Sequence, residues 1–454
     1  MNIDTIVQKQ REFFNSNATK SVSFRKTQLQ KLEHTIKSNE QAIYDALKED
    51  LNKSEYETYL TEVSMVLSEI HTALKHIDRW VKPNKKPTSL ANFPAKSYTI
   101  HEPYGVALIL SPWNYPFQLA LAPVVGAIAA GNCVVLKCSK NSEHTSEIIA
   151  KMISENFDSK FIYCVNTRES YDEILAQKYD YIFFTGSERV GKIVMRAASN
   201  HVTPISLELG GKSPCFVDNS ADIDLAAKRI IWGKLLNSGQ TCVAPDYVLV
   251  DAKVKDQLIA KMQEQITIMY QNPLMNQDYP KIISKDHFER LTGLIQREEH
   301  KLGGASDEAL NKIAPAIFTK ATFDSEIMKE EIFGPILPII SYTNLDEVIT
   351  TVKGRAKPLA CYIFAQEKAY SDKIVHEVSF GGGCINDTVM HLVNHNLPFG
   401  GVGSSGMGGY HGKYSFDTFS HEKSVLKNKT IFDVPLRYAP YQMKNLPTIK
   451  KIMK

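Results

Sequence analysis

The chain has 454 residues, 43% hydrophobic and 23% charged, with 53 Lys and Arg against 50 Asp and Glu for a formal charge of +3. This is the composition of a soluble globular protein too long for one hydrophobic core, so two or three domains are expected. So small an excess of positive charge argues against a nucleic-acid partner, whose contact face would be rich in clustered basic residues.

The N-terminal MNIDTIVQKQREFF has no apolar core of signal-peptide type. The first eighty residues read as helical: Leu60, Val63, Leu67, Ile70, Leu74 and Ile77 recur at steps of three and four, one face of a helix that stops near Trp80. The breaker segment KPNKKPTS follows. Beyond it, strands alternate with helices. VALILS (106–111) leads to a helix beginning near Pro116, CVVLK (133–137) to a helix around Glu143–Asn156, and YIFFTGS (181–187) to ERVGKIVMRAAS. Short apolar strands each followed by a helix predict βαβ units and a buried parallel sheet, an α/β protein. The uncharged run Leu119–Leu136 approaches the length of a membrane span, but Pro123, Gly126, Gly131 and Asn132 interrupt it. It reads instead as a buried small-residue helix, a turn at Gly131-Asn132 and a strand, so no integral membrane anchor is expected. A second α/β series has strands near PCFV, YVLV, ILPII and ACYIF, and Leu397–Phe419 is rich in glycine and aromatics with little helical pattern.

Seven cysteines stand at 133, 138, 164, 215, 242, 361 and 384, an odd number with no C-x-x-C pair. Neither a metal site nor a disulfide framework is indicated, and a reducing, cytoplasmic setting fits best. Four segments hold residues that could do chemistry. In SPWNYPFQ, Asn114 lies just beyond a strand, where its amide could donate to a developing oxyanion or simply cap a turn. In FFTGSERVGK a strand feeds Gly186 and Ser187 and then a helix whose N-terminus suits a phosphate, with Gly186 and Gly191 allowing close backbone approach. In LELGGKSP, Glu208 sits between leucines before a double glycine, placed either as a base in a crevice or as a structural glutamate in a salt bridge or capping a turn. In NSGQTCVAPDY, Cys242 is either an attacking thiol or a small buried side chain. KEEIFGPILP adds Glu331 and Phe333 beside a glycine–proline turn. A thiol, a carboxylate base, an amide donor and a phosphate-ready helix end are together the parts for oxidising an aldehyde through a thioester.

SPWNYPF, FTGSERVGK, LELGGKSP, SGQTCVAPDY, EEIFGP and LPFGGVGSSGMGGYHGKYSFDTFSH resemble, in order, the signature segments of the aldehyde dehydrogenases, and the last is similar to the class 3 branch. The resemblance runs from about Leu29 to Tyr441. It implies a Rossmann-like cofactor domain (1–81 and 103–209), an α/β catalytic domain (210–396), and a small bridging segment with the C-terminal tail (82–102 and 397–454) that joins a homodimer. It also implies Cys242 as nucleophile, Asn114 with the Cys242 N–H as oxyanion donors, and Glu208 as the base that activates water. Lys137 is implied at the adenosine ribose, Ser187 at the pyrophosphate, and Glu331 at the nicotinamide ribose with Phe333 packing nearby. Tyr115 and Trp232 could line an apolar aldehyde tunnel, ordinary core packing being the alternative for Trp232. The implied substrates are medium-chain aliphatic or aromatic aldehydes. One position departs from the pattern. NAD-preferring members usually carry a glutamate three residues after the ribose lysine, whereas KCSKNSE places Lys140 there, with Cys138 where proline is common. An ammonium attracts a 2′-phosphate, so NADP is expected to serve at least as well as NAD, unless Glu143 takes the glutamate's place. Two rivals are a coenzyme A-acylating enzyme, which has no need of Glu208, and a catalytically silent interaction protein on the same scaffold.

Overall fold

The protein is described by a computed structural model over residues 2–431 and 433–453. Five strands form the parallel part of the first sheet: β1 (Val106–Leu110), β2 (Cys133–Lys137), β3 (Ile162–Val165), β4 (Tyr181–Thr185) and β5 (Ile205–Glu208). The order is β5-β4-β1-β2-β3, and β1, β2 and β4 are buried along their whole length. Both faces are covered by helices, which is why these strands read as unbroken apolar runs rather than alternating ones. The chain steps outward from β1 through β2 and β3, then returns to lay β4 on the other side of β1. The crevice at the carboxyl ends of β1 and β4 is therefore a topological switch point, the place where open α/β sheets receive ligands.

Helix Gln118–Ala130 joins β1 to β2 and is buried on every side, as its small apolar residues require. A Cβ at Gly126 would stand 2.7 Å from the Ser415 Cβ, so the glycine admits a C-terminal helix against it. Gly131, at φ 99°, ends the helix in the left-handed conformation. Among the described residues no helix is long and apolar enough to cross a membrane.

The second sheet comprises β6 (Pro214–Val217), β7 (Tyr247–Asp251), β8 (Lys301–Gly303), β9 (Ala316–Phe318), β10 (Ile336–Tyr342), β11 (Ala360–Phe364) and β12 (Gly382–Ile385), in the order β8-β9-β10-β7-β6-β11-β12. Only the edge strand β8 runs antiparallel to its neighbour. A third sheet pairs Lys96–Pro103 with Asn84–Lys86 and with Ser420–Lys427. The glycine-rich region also returns to the first sheet. Gly406–Met407 lies antiparallel along β5, with Gly406 opposite Glu208. It holds one short helix, Lys413–Thr418.

The N-terminal helices depart from the periodic reading at one point. The face over 60–77 is not continuous, because Tyr59–Val63 form a π-helical turn between Glu55–Thr58 and Ser64–Trp80. The wider turn rotates what precedes it, so Leu60 is 44% exposed while Val63, Leu67, Ile70 and Ile77 are buried.

Candidate active site

The loop after β1 and the loop after helix Ile223–Leu235 meet through buried hydrogen bonds. In the first, Asn114 is 4% exposed and its amide donates to the Gln240 carbonyl at 3.0 Å. Its own carbonyl accepts from the Asn237 side chain at 2.6 Å and from the Lys53 ammonium at 3.4 Å. In the second loop, Asn237, Ser238 and Gly239 all adopt positive φ (51°, 52° and 75°). Glycine is demanded at 239, where a Cβ would lie 2.3 Å from the Gly334 carbonyl oxygen. The strained turn is held by its own side chains. Ser238 donates to the Pro280 carbonyl (2.6 Å), and Gln240 donates to Lys281 (3.0 Å) while accepting from the Ile283 N–H (3.0 Å). Small polar residues between helix and cysteine are what such a turn requires, since Asn and Gly tolerate the left-handed region.

Cys242 follows this turn, partly exposed. Burial, then the carboxylates of Glu331 and Glu208, push its thiol up to about 12. Glu208 ends β5, 2% exposed, with neither carboxyl oxygen hydrogen-bonded. Burial alone holds it well above the usual carboxylate range. Glu331 reaches in from the loop before β10 and accepts from the Gly211 N–H, and burial followed by Asp246 raises it to about 8. Gly210 makes room for it, because a Cβ there would stand 2.1 Å from Oε2. That loop is anchored by Asp246, which accepts from the Ile332 N–H at 2.9 Å and pairs with Lys212. Phe333, at φ 51°, meets the Trp113 ring edge-on at 5.4 Å.

At the switch point, the Ser187 hydroxyl caps helix Glu188–Ser199 by accepting from the Val190 N–H (3.4 Å). Only Gly186 and Ser187 separate that helix from the carboxyl end of β4, so its free first-turn N–H groups lie at the switch-point end of the sheet. Gly186 and Gly191 serve packing within the protein: a Cβ at 186 would strike the Phe184 ring (2.6 Å), and one at 191 the Leu209 side chain (2.9 Å). Lys137 ends β2, its ammonium donating to the Asn166 carbonyl at 2.8 Å and its pKa lowered by burial. Lys140 is exposed on the following loop. Glu143 is turned toward Arg168 (3.8 Å) on the outer surface. The Tyr115 hydroxyl meets the Thr241 hydroxyl at 2.7 Å, and Trp232 is half-buried against the core.

Cys242, Glu208, Asn114 and Glu331 are thus gathered at one place, and Lys137, Gly186 and Ser187 along the carboxyl ends of the first sheet. Several contributors were not singled out from the sequence. Trp113, Asn237 and Gln240 lie inside the quoted motifs, and their polar or aromatic character was the available signal. Lys53 gave none, since a lone lysine defaults to the surface.

The aldehyde dehydrogenase family model matches residues 1–425. The chain is 48% identical to the 4,4′-diaponeurosporen-aldehyde dehydrogenase of Staphylococcus aureus over 436 residues, 95% of each chain. It is 44% identical to aldehyde dehydrogenase family 3 member B1 of Rattus norvegicus over 97% of this chain and 95% of that protein. The solved structure of substrate-bound Staphylococcus aureus AldH superposes with a TM-score of 0.97 at 46% identity, covering all of both chains. The protein belongs to the aldehyde dehydrogenase family, on its class 3 branch, and oxidises aldehydes to carboxylic acids with NAD(P).

Proposed function

We propose that Cys242 is the nucleophile of this oxidation and Glu208 its hydrolytic base. One observation carries the reading: a carboxyl buried without a partner stands close enough to a thiol, at the end of a strained loop, to raise it. A structural glutamate would be paired, since an unsatisfied buried carboxyl is costly. With both oxygens uncommitted, Glu208 in its ionised form is free to accept a proton from water, and burial makes that form the stronger base. The Cys242 thiol loses its proton to water, the thiolate attacks the aldehyde carbonyl, and the oxyanion of the resulting thiohemiacetal is met by the Asn114 amide and the Cys242 N–H. Such donors are worth roughly 3–4 kcal/mol where water is excluded. Bound NAD(P) supplies the hydride acceptor, and a thioester remains on Cys242 until water, deprotonated by Glu208, releases the acid.

The cofactor fits the residues present. The switch-point crevice offers a capped helix N-terminus at Ser187, a strand-end lysine at Lys137, and Glu331 with Phe333 on the opposite side. Lys140 is exposed and followed by Asn141 and Ser142, and Glu143 is turned toward Arg168, which favours use of NADP at least as well as NAD. Hydrophobic aldehydes, medium-chain aliphatic or aromatic, are the proposed substrates; the Staphylococcus aureus relative is named for a carotenoid aldehyde, also hydrophobic. The third sheet and the C-terminal segment would bridge a homodimer, and seven unpaired cysteines accord with the cytoplasm.

The test is Cys242→Ala, assayed with a hydrophobic aldehyde and NAD(P), with and without coenzyme A. Aldehyde oxidation should vanish while cofactor binding persists, and coenzyme A should not accelerate the wild type. Substantial activity in the variant would require another nucleophile; dependence on coenzyme A would replace hydrolysis with acyl transfer.

A further inference from the structure

Three charged side chains from the stretch Lys53–Glu62 converge beneath the two active-site loops. Lys53 and Glu62 are fully buried and paired at 2.5 Å. The Lys53 ammonium also donates to the Asn114 carbonyl (3.4 Å) and stands 3.9 Å from the Tyr115 ring centroid. The second oxygen of Glu62 accepts from the Phe117 and Gln118 N–H groups (2.9 and 3.0 Å), at the start of helix Gln118–Ala130. Glu57 reaches the other loop and accepts from the Asn237 N–H at 2.8 Å, where the left-handed turn begins. The two loops are then stapled directly by the Asn237 amide to the Asn114 carbonyl and by the Asn114 amide to the Gln240 carbonyl, while the Asn237 amide also closes its own loop onto Gln240.

Stability does not account for such a cluster. Replacing a buried ion pair by apolar side chains of similar volume is often neutral or stabilising, because desolvation offsets the attraction. Glu62 moreover lies in the π-helical turn Tyr59–Val63, a departure from regular helix that recurs at functional sites. What the cluster does fix is the separation of two peptide segments distant in sequence.

We infer that Lys53, Glu62 and Glu57 are positioning residues: they fix the Asn114 loop against the Asn237–Cys242 loop so that the Asn114 amide and the Cys242 N–H meet one oxygen. The inference rests on the reading of Asn114 and Cys242 given above. None of the three touches the reacting atoms; each acts through a backbone group of the loop it holds.

The test is a set of double-mutant cycles on the full-length enzyme, with kcat and KM measured for aldehyde and for NAD(P). Lys53→Met should lower kcat by about 10- to 100-fold, the cost of a small misplacement of a catalytic group, with the KM for NAD(P) within about twofold. In an Asn114→Ala background the same change should cost less than about threefold, because the group it aims is gone. Glu57→Ala should behave likewise, and Glu57→Gln, which keeps an acceptor for the Asn237 N–H, should recover most of the loss. Should Lys53→Met not fold, the Glu57 pair decides alone. Equal losses with and without Asn114, or folded single variants with unchanged kcat, would overturn the inference. An Asn114→Ala enzyme of full activity would instead remove the donor reading on which it rests.

Discussion

Glu208→Gln separates the two halves of turnover. The substitution keeps shape and volume at a site 2% exposed, and it breaks no hydrogen bond because neither carboxyl oxygen has one. Folding should therefore change by no more than about 1 kcal/mol at acidic pH, where the Glu208 carboxyl is protonated in folded and unfolded states alike. The pH dependence of stability should change more clearly. Burial holds the Glu208 carboxyl well above its unfolded value of about 4.3. Between those two values the folded protein binds more protons than the unfolded chain, so the contribution of Glu208 to stability is lost as pH rises. Glutamine abolishes that slope. Acylation should survive, since the amide also removes one of the carboxylates that raise the Cys242 thiol. Deacylation loses its base, and a positioned base typically contributes 10²–10⁴-fold, about 3–5 kcal/mol. Stopped-flow absorbance of the reduced nicotinamide should then show a burst of about one equivalent per active site before a steady state slowed by that factor. Hydroxylamine, which attacks a thioester without a general base, should restore turnover. The reasoning fails if the variant shows no burst, or if both phases slow equally.

Alkylation of Cys242 by iodoacetamide in the cofactor-free enzyme should rise about tenfold per pH unit from 7 to 10 with no plateau, because its thiol is pushed up to about 12. Cys242→Ala supplies the background from the other thiols, and a plateau below pH 9 would contradict the electrostatics. Gly210→Ala places a methyl where the Glu331 carboxyl lies, 2.1 Å from Oε2. The KM for NAD(P) should rise about tenfold or more with that of the aldehyde little changed, whereas an unchanged cofactor KM would remove Glu331 from the cofactor site. Lys140→Glu should lower kcat/KM for NADP relative to NAD by about two- to tenfold, a modest factor because the side chain is exposed and screened. A strong NAD preference in the wild type, unaltered by the substitution, would sink the Lys140 reading.

The strands were legible because a parallel sheet covered on both faces needs continuous apolar runs, and VALIL, CVVLK and YIFFT are too short and too β-branched or aromatic to be anything else. The helices were legible where one face is apolar, and the reading slipped at Leu60. Periodicity assumes 3.6 residues per turn, and the π-turn inserts an extra residue to seat Glu62 beneath helix Gln118–Ala130. The motifs located Cys242, Glu208 and Asn114 but gave no view of what holds them apart at a fixed distance. Cys242, Glu208 and Asn114 are the residues proposed to contact the reacting atoms, and their identity follows from chemistry. Supporting residues such as Lys53, Glu57 and Asp246 are defined only by where the chain brings them, across separations of 61 residues (Lys53 to Asn114), 180 (Glu57 to Asn237) and 86 (Asp246 to Ile332). On the sequence Lys53 and Glu57 are ordinary charges in polar surroundings that would be placed in solvent, and Asp246 is a lone charge before an apolar strand with no partner in view. The same reasoning bears on Glu208. A glutamate between two leucines has two fates, paired or catalytic, and the sequence cannot choose because the partner would come from elsewhere in the fold. Once the neighbours are known, the absence of any hydrogen bond to either oxygen supports the proposed role as base: a carboxyl kept buried and unpaired is a cost that the fold alone gives no reason to bear.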